Sequence, residues 1–122
     1  MRVLVISDIH ANYTALEAVL KDAGEVDETW CLGDLVGYGP DPNAVVEKVR
    51  EIKNLTCLLG NHDVAVIGQM PLETFNGGAR RSLEIHEKVL SASNKDYMCT
   101  LPSKTTVLGE ATLAHGSPRD PL

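Results

Sequence analysis

Apolar residues come in short clusters along this chain, and the first three clusters each end abruptly on small or polar residues. Residues 2 to 7 are β-branched and leucine-rich and read as a fully buried strand running into Asp8-Ile9-His10. The period then changes. Ala15, Leu16, Val19, Leu20 and Ala23 recur on one helical face, with Asn12 placed to cap the helix and Gly24 to stop it. A second strand covers residues 28 to 32 and runs into Gly33-Asp34. The stretch Gly-Asp-Leu-Val-Gly-Tyr-Gly-Pro-Asp-Pro-Asn holds too many glycines and prolines for regular structure. Asp41-Pro42 reads as N-cap and first residue of a helix that turns Val45, Val49 and Ile52 inward. Residues 55 to 59 form a third strand, which runs into Gly60-Asn61-His62-Asp63.

Such a β-α-β-α-β alternation predicts an α/β fold with parallel strands and right-handed crossovers. Ligands of such sheets gather outside the carboxyl ends of the strands, where all three polar patches lie.

The pattern is less regular afterwards. Residues 64 to 76 favour neither helix nor strand, with Gly68, Pro71 and Gly77-Gly78 as breakers. A helix over 79 to 90 puts Ala79, Leu83, His86 and Leu90 on one stripe, and residues 94 to 100 form a short helix capped by Ser93. Residues 105 to 108 and 111 to 114 predict two strands joined by a tight Gly109-Glu110 turn. The second of these delivers His115-Gly116.

The length, 122 residues, suits one domain, taken here as 1–122, and the mix of 43% hydrophobic and 23% charged residues is that of an ordinary globular chain. A net charge of −6 argues against nucleic acid or anionic membrane as a general partner, and aromatics at 4% argue against a base-stacking surface. Cys31, Cys57 and Cys99 are odd in number, widely spaced and without a CxxC, which points to reduced thiols in the cytoplasm. The first apolar run is too short for a signal peptide or a membrane span.

Carboxylate, imidazole and amide groups at successive strand ends are donors that can converge on divalent metals. Asp8 and His10, one residue apart, can reach one ion if the strand ends in an irregular turn. Asp34 can bridge that ion to a second, with Asn61 and His115 as neutral donors to the latter. Two ions so held can clamp a phosphoryl group for in-line attack. His62 follows a ligand directly, so its ring can project over a substrate and protonate the leaving group. Other polar residues have plainer readings. His86 fits a packed core histidine and Arg80-Arg81 a solvated pair, while Tyr38 and Arg119 either line a substrate pocket or, the plainer reading, sit on surface loops. Asp63 either orients the His62 ring or is an exposed turn carboxylate.

The set Asp8-x-His10, Gly33-Asp34, Gly60-Asn61-His62-Asp63 and His115-Gly116, in this order, resembles the calcineurin-like metallophosphoesterase superfamily, its small prokaryotic phosphoesterases in particular. That resemblance implies a four-layer α/β/β/α sandwich, of which this β-α-β-α-β chain supplies about the first half. It implies Asp8, His10 and Asp34 on the first metal, a bridging Asp34 with Asn61 and His115 on the second, and His62 as the catalytic histidine. The implied activity is hydrolysis of a phosphomonoester or phosphodiester by metal-bound hydroxide. Manganese is the expected metal, with iron, zinc, cobalt or nickel compatible with the same donors. Members of the family continue to a Gly-His-x-His motif that this sequence lacks, so the resemblance implies a domain incomplete at its C-terminus. Two other functions fit the same scaffold: a nuclease or cyclic-nucleotide phosphodiesterase, and a degenerate, non-catalytic interaction module.

Overall fold

A computed structural model describes all 122 residues. Strands β1 (Val3–Ile6), β2 (Glu28–Cys31) and β3 (Leu55–Cys57) form a parallel sheet in the order β1-β2-β3. Helices α1 (Tyr13–Ala23) and α2 (Pro42–Glu51) are its crossovers. Asn12 caps α1 by accepting from the Ala15 amide at 3.0 Å, an interaction worth about 1 kcal/mol. Pro42 opens α2, whose Val45, Val46 and Val49 are fully buried against Cys31, Cys57 and Leu35.

Three short helices follow: α3 (Asn61–Val66), α4 (Gly77–Val89) and α5 (Ala92–Cys99), with a 3-10 turn at Leu72–Thr74. All three join the same core through Val64, Leu83 and Met98. Strands β4 (Lys104–Val107) and β5 (Ala111–Ala114) form an antiparallel hairpin. Its Val107 and Leu113 pack with Leu58, Trp30 and Leu32 in a second, smaller cluster. Trp30 alternates with the core-facing Thr29 and Cys31, so the hairpin covers the sheet face opposite the helices.

Several sequence expectations need correction. β1 is an edge strand and none of its residues is fully buried; Val5 is 52% exposed. Only β2 pairs with it, and its outer side opens on a groove lined by Val5, Ile9, Leu16 and Val19. Of the α1 stripe only Leu16 is buried; Leu20 and Ala23 are half-buried, and Ala15 and Val19 lie exposed at the groove. Residues 61–66, expected as loop and ambiguous chain, are helical. Gly77 and Gly78, expected to break helices, form the first turn of α4. Ser91, not Ser93, caps α5. The hairpin loop takes three residues, since Val107 pairs with Ala111 and Leu108 and Gly109 are left-handed.

Candidate metal centre

The carboxyl ends of β1, β2 and β3 lie side by side, and the loops leaving them are stitched together by backbone. The amides of Asp8, His10 and Ala11 donate to the carbonyls of Gly33, Asp34 and Leu35 at 2.8–2.9 Å. Asp8, His10 and Asp34 all sit in the left-handed region, with φ of 56°, 47° and 61°. For residues other than glycine this costs of order 1 kcal/mol each, and such strain concentrates at functional sites.

Asp34 is the hub. It is 2% exposed, and its Oδ2 lies 3.1 Å from His62 Nδ1, 3.3 Å from His115 Nε2 and 3.5 Å from His10 Nε2. Burial opposes its charged form, but the hydrogen bond and charge of His62, helped by His115, hold the carboxyl below the usual carboxylate range. Gly60 makes room for it, since a Cβ there would lie 2.1 Å from Asp34 Oδ1. Asp8 is more open, its side chain 54% exposed, with Oδ2 taking the Ser7 hydroxyl and Oδ1 3.6 Å from His10 Nε2.

Ring tautomers decide what these nitrogens face. His10 Nδ1 lies 2.9 Å from the Val36 carbonyl, and His115 Nδ1 lies 2.9 Å from the Leu32 carbonyl. A carbonyl oxygen only accepts, so both Nδ1 atoms carry the proton and a neutral ring turns its Nε2 lone pair outward. Both Nε2 atoms point at the same carboxylate oxygen: protonated they pair with it, and deprotonated each turns a lone pair toward it. Like charge density at 3.3–3.5 Å is unfavourable unless a cation lies between, and a backbone carbonyl on the second ring nitrogen is the usual arrangement of a metal-ligating histidine. Ligand atoms converge in two overlapping groups, His10 with Asp34 and His62, and Asp8 with Asp34 and His115. These residues fit divalent cations, and Asp34 is common to both groups. Half-buried Asn61 opens α3 at the same strand end.

His62 is enclosed by the site. Its ring is 8% exposed and packs between His10, Tyr38 and Phe75, with centroids 4.8–5.3 Å away. Nδ1 goes to Asp34, and Nε2 is the one buried side-chain nitrogen or oxygen in the protein without a partner. Asp63 departs from both readings offered for it. It is fully buried and accepts four backbone amides: Asp34 and Gly60 on Oδ2, Leu35 and Val36 on Oδ1. Burial pushes its carboxyl up to about 7, against the pull of those amides. Rather than orienting His62, Asp63 staples the loop after β2 to the start of α3. His86, read as a core histidine, does lie buried on α4, but it also works on the loop: Nδ1 accepts from Gly37 N–H at 3.0 Å, and Nε2 donates to the Gly39 carbonyl at 2.8 Å.

The match to known families agrees with this geometry. The calcineurin-like phosphoesterase family matches residues 1–121. This chain belongs to that family. A metallophosphoesterase from Sphaerobacter thermophilus superposes with a TM-score of 0.85 at 48% identity, over all of this chain and 49% of that one. The Methanocaldococcus jannaschii protein MJ0912 is 36% identical over 98% of this chain and 51% of its own length. A symmetrical bis(5'-nucleosyl)-tetraphosphatase from Erwinia tasmaniensis is 39% identical over 71 residues, 55% of this chain and 26% of that enzyme. The chain thus spans about half the length, or less, of the calcineurin-like relatives it matches. No helix is long and apolar enough to cross a membrane.

Proposed function

We propose that this protein hydrolyses phosphate esters with two divalent cations that share Asp34. The observation that carries the reading is the pair of imidazole Nε2 atoms, from His10 and His115, aimed at one buried carboxylate oxygen, each ring held through Nδ1 by a backbone carbonyl. In this reading His10 and Asp34 hold one ion and Asp34 and His115 the other. Asp8 stands within reach of both sets, and Asn61 adds a neutral amide. Mixed oxygen and imidazole donors suit manganese, with iron, zinc, cobalt and nickel using the same set. Such a cation pair supplies Lewis-acid polarisation of phosphoryl oxygens and activates water. Free cysteines, two of them buried, support the cytoplasm as compartment.

The chain's own residues do the rest. Asp34 stays ionised because His62 and His115 hold its carboxyl low. As an imidazolium ion, His62 gives Nδ1–H to Asp34 and keeps a second proton on Nε2 that it can hand to a departing ester oxygen, ending as the neutral ring with Nδ1–H still on Asp34. In the resting arrangement that nitrogen is buried and unpartnered, which costs about 1–3 kcal/mol and leaves it free to take an ester oxygen as its partner. Nucleotide phosphates are the substrate class that the named relatives support.

Turnover of two substrates by His62→Ala tests the assignment. With manganese loaded, hydrolysis of an alkyl phosphate should fall by about 10²–10⁴-fold, and that of an activated aryl phosphate far less, because its leaving group needs little protonation. Equal loss on both substrates would remove proton donation from the role of His62. Loss of bound metal would remove the assignment itself.

A further inference from the structure

Tyr38 is placed where neither folding nor backbone geometry calls for an aromatic ring. It lies between Gly37 and Gly39 in the loop after β2, with φ of 65°, a conformation glycine adopts freely and a bulky side chain does not. It is 57% exposed and is the sole aromatic among the large exposed apolar residues. Core packing therefore gains little from the ring, while the backbone is strained to keep it.

The loop is nevertheless held tightly. Tyr38 N–H donates to Ser82 Oγ at 2.9 Å, and the flanking glycines are clamped by His86, so α4 grips three consecutive residues. A Cβ on Gly37 would meet the His62 ring at 2.8 Å, so the loop runs directly over the site. One side of the Tyr38 ring rests on the candidate centre, edge-on to His10 at 5.1 Å and tilted on His62 at 5.3 Å. The remainder faces solvent. An aromatic surface so fixed, one residue away from the groups around Asp34, is shaped to receive a flat ring attached to the phosphate.

We propose that Tyr38 is the specificity-determining residue of this site, stacking on the aromatic group, a nucleobase or aryl ring, of a phosphate ester. The inference rests on the phosphoesterase reading above and adds the substrate group that this residue selects. Stacking one base on an aromatic side chain is typically worth about tenfold in affinity or more.

Calorimetric titration of the manganese-loaded protein with adenosine 5'-monophosphate, ribose 5-phosphate and inorganic phosphate tests it. The wild type should bind the nucleotide about tenfold or more tighter than the sugar phosphate. Tyr38→Gly, which relieves the backbone strain, should erase that preference and leave ribose 5-phosphate binding unchanged. Tyr38→Phe should keep the preference. Equal binding of nucleotide and sugar phosphate by the wild type, or a preference surviving in Tyr38→Gly, overturns the assignment while leaving the phosphoesterase reading intact. Failure of all three ligands to bind overturns both.

Discussion

The loops that leave β1 and β2 are joined by backbone hydrogen bonds but hold their aspartate side chains in opposite ways. After β2, the segment Gly33–Gly39 is fastened along its length. Asp63 takes the amides of Asp34, Leu35 and Val36, His86 takes both glycines around Tyr38, and Ser82 takes Tyr38 itself. After β1, an edge strand, Asp8 stands largely in solvent with only Ser7 as a side-chain partner within hydrogen-bonding distance. Both carry a left-handed aspartate. The difference shows where rigidity is concentrated: the carboxylate common to both ligand groups is set before any ion binds, while Asp8 remains free to adjust to the ion. Preorganising a ligand removes an ordering cost that binding would otherwise bear.

The largest test of that contrast is Asp63→Ala. Four buried amides lose their acceptor at once, and each unsatisfied group costs about 1–3 kcal/mol, so a total on the order of 4 kcal/mol or more is expected from urea unfolding. A loss under about 1 kcal/mol would mean that the loop does not depend on this carboxylate.

His86 comes next and carries a pH signature. Burial holds its imidazole below the ordinary histidine value of about 6.5, and Nδ1 must stay unprotonated to accept from Gly37. The folded state thus binds fewer protons than the unfolded one, and this contribution to stability is present above about pH 6.5 and declines as pH falls below it. His86→Gln should be less stable than wild type by about 1–2 kcal/mol at pH 8, for two hydrogen bonds, with the gap narrowing toward pH 5. A gap constant across that range would show that the clamp does not depend on the neutral ring.

The smallest effect is expected on the other side of the comparison. Asp8→Gly removes an exposed side chain from a φ of 56° that glycine adopts without strain. Metal-free stability should stay within about 0.5 kcal/mol of wild type or rise. A large loss would place structural weight on Asp8 that its contacts do not show.

Much of this arrangement was legible in the residues. Helical and strand periodicities located the three parallel strands and their crossovers, and Asp8, His10, His62 and His115 lie around Asp34. The edge position of β1 was not legible, because Val3–Ile6 has the same composition whether one neighbour or two cover the strand. Nor was α3, six residues beginning directly at Asn61, too short to show a period. Apart from the Gly60 amide, the roles of Asp63 and His86 depend on backbone groups 27 to 49 residues away, which local patterns do not encode. Tyr38 did carry a signal: an aromatic residue flanked by two glycines in a loop that also holds a candidate ligand.

Manganese stoichiometry by calorimetry, in wild type, Asp8→Gly and Asp34→Asn, addresses the shared carboxylate directly. Two ions per chain are expected for wild type. Asp8→Gly should retain at least one of them, and Asp34→Asn should lose both. If Asp34→Asn held as much manganese as Asp8→Gly, Asp34 would not be the carboxylate that two ions share.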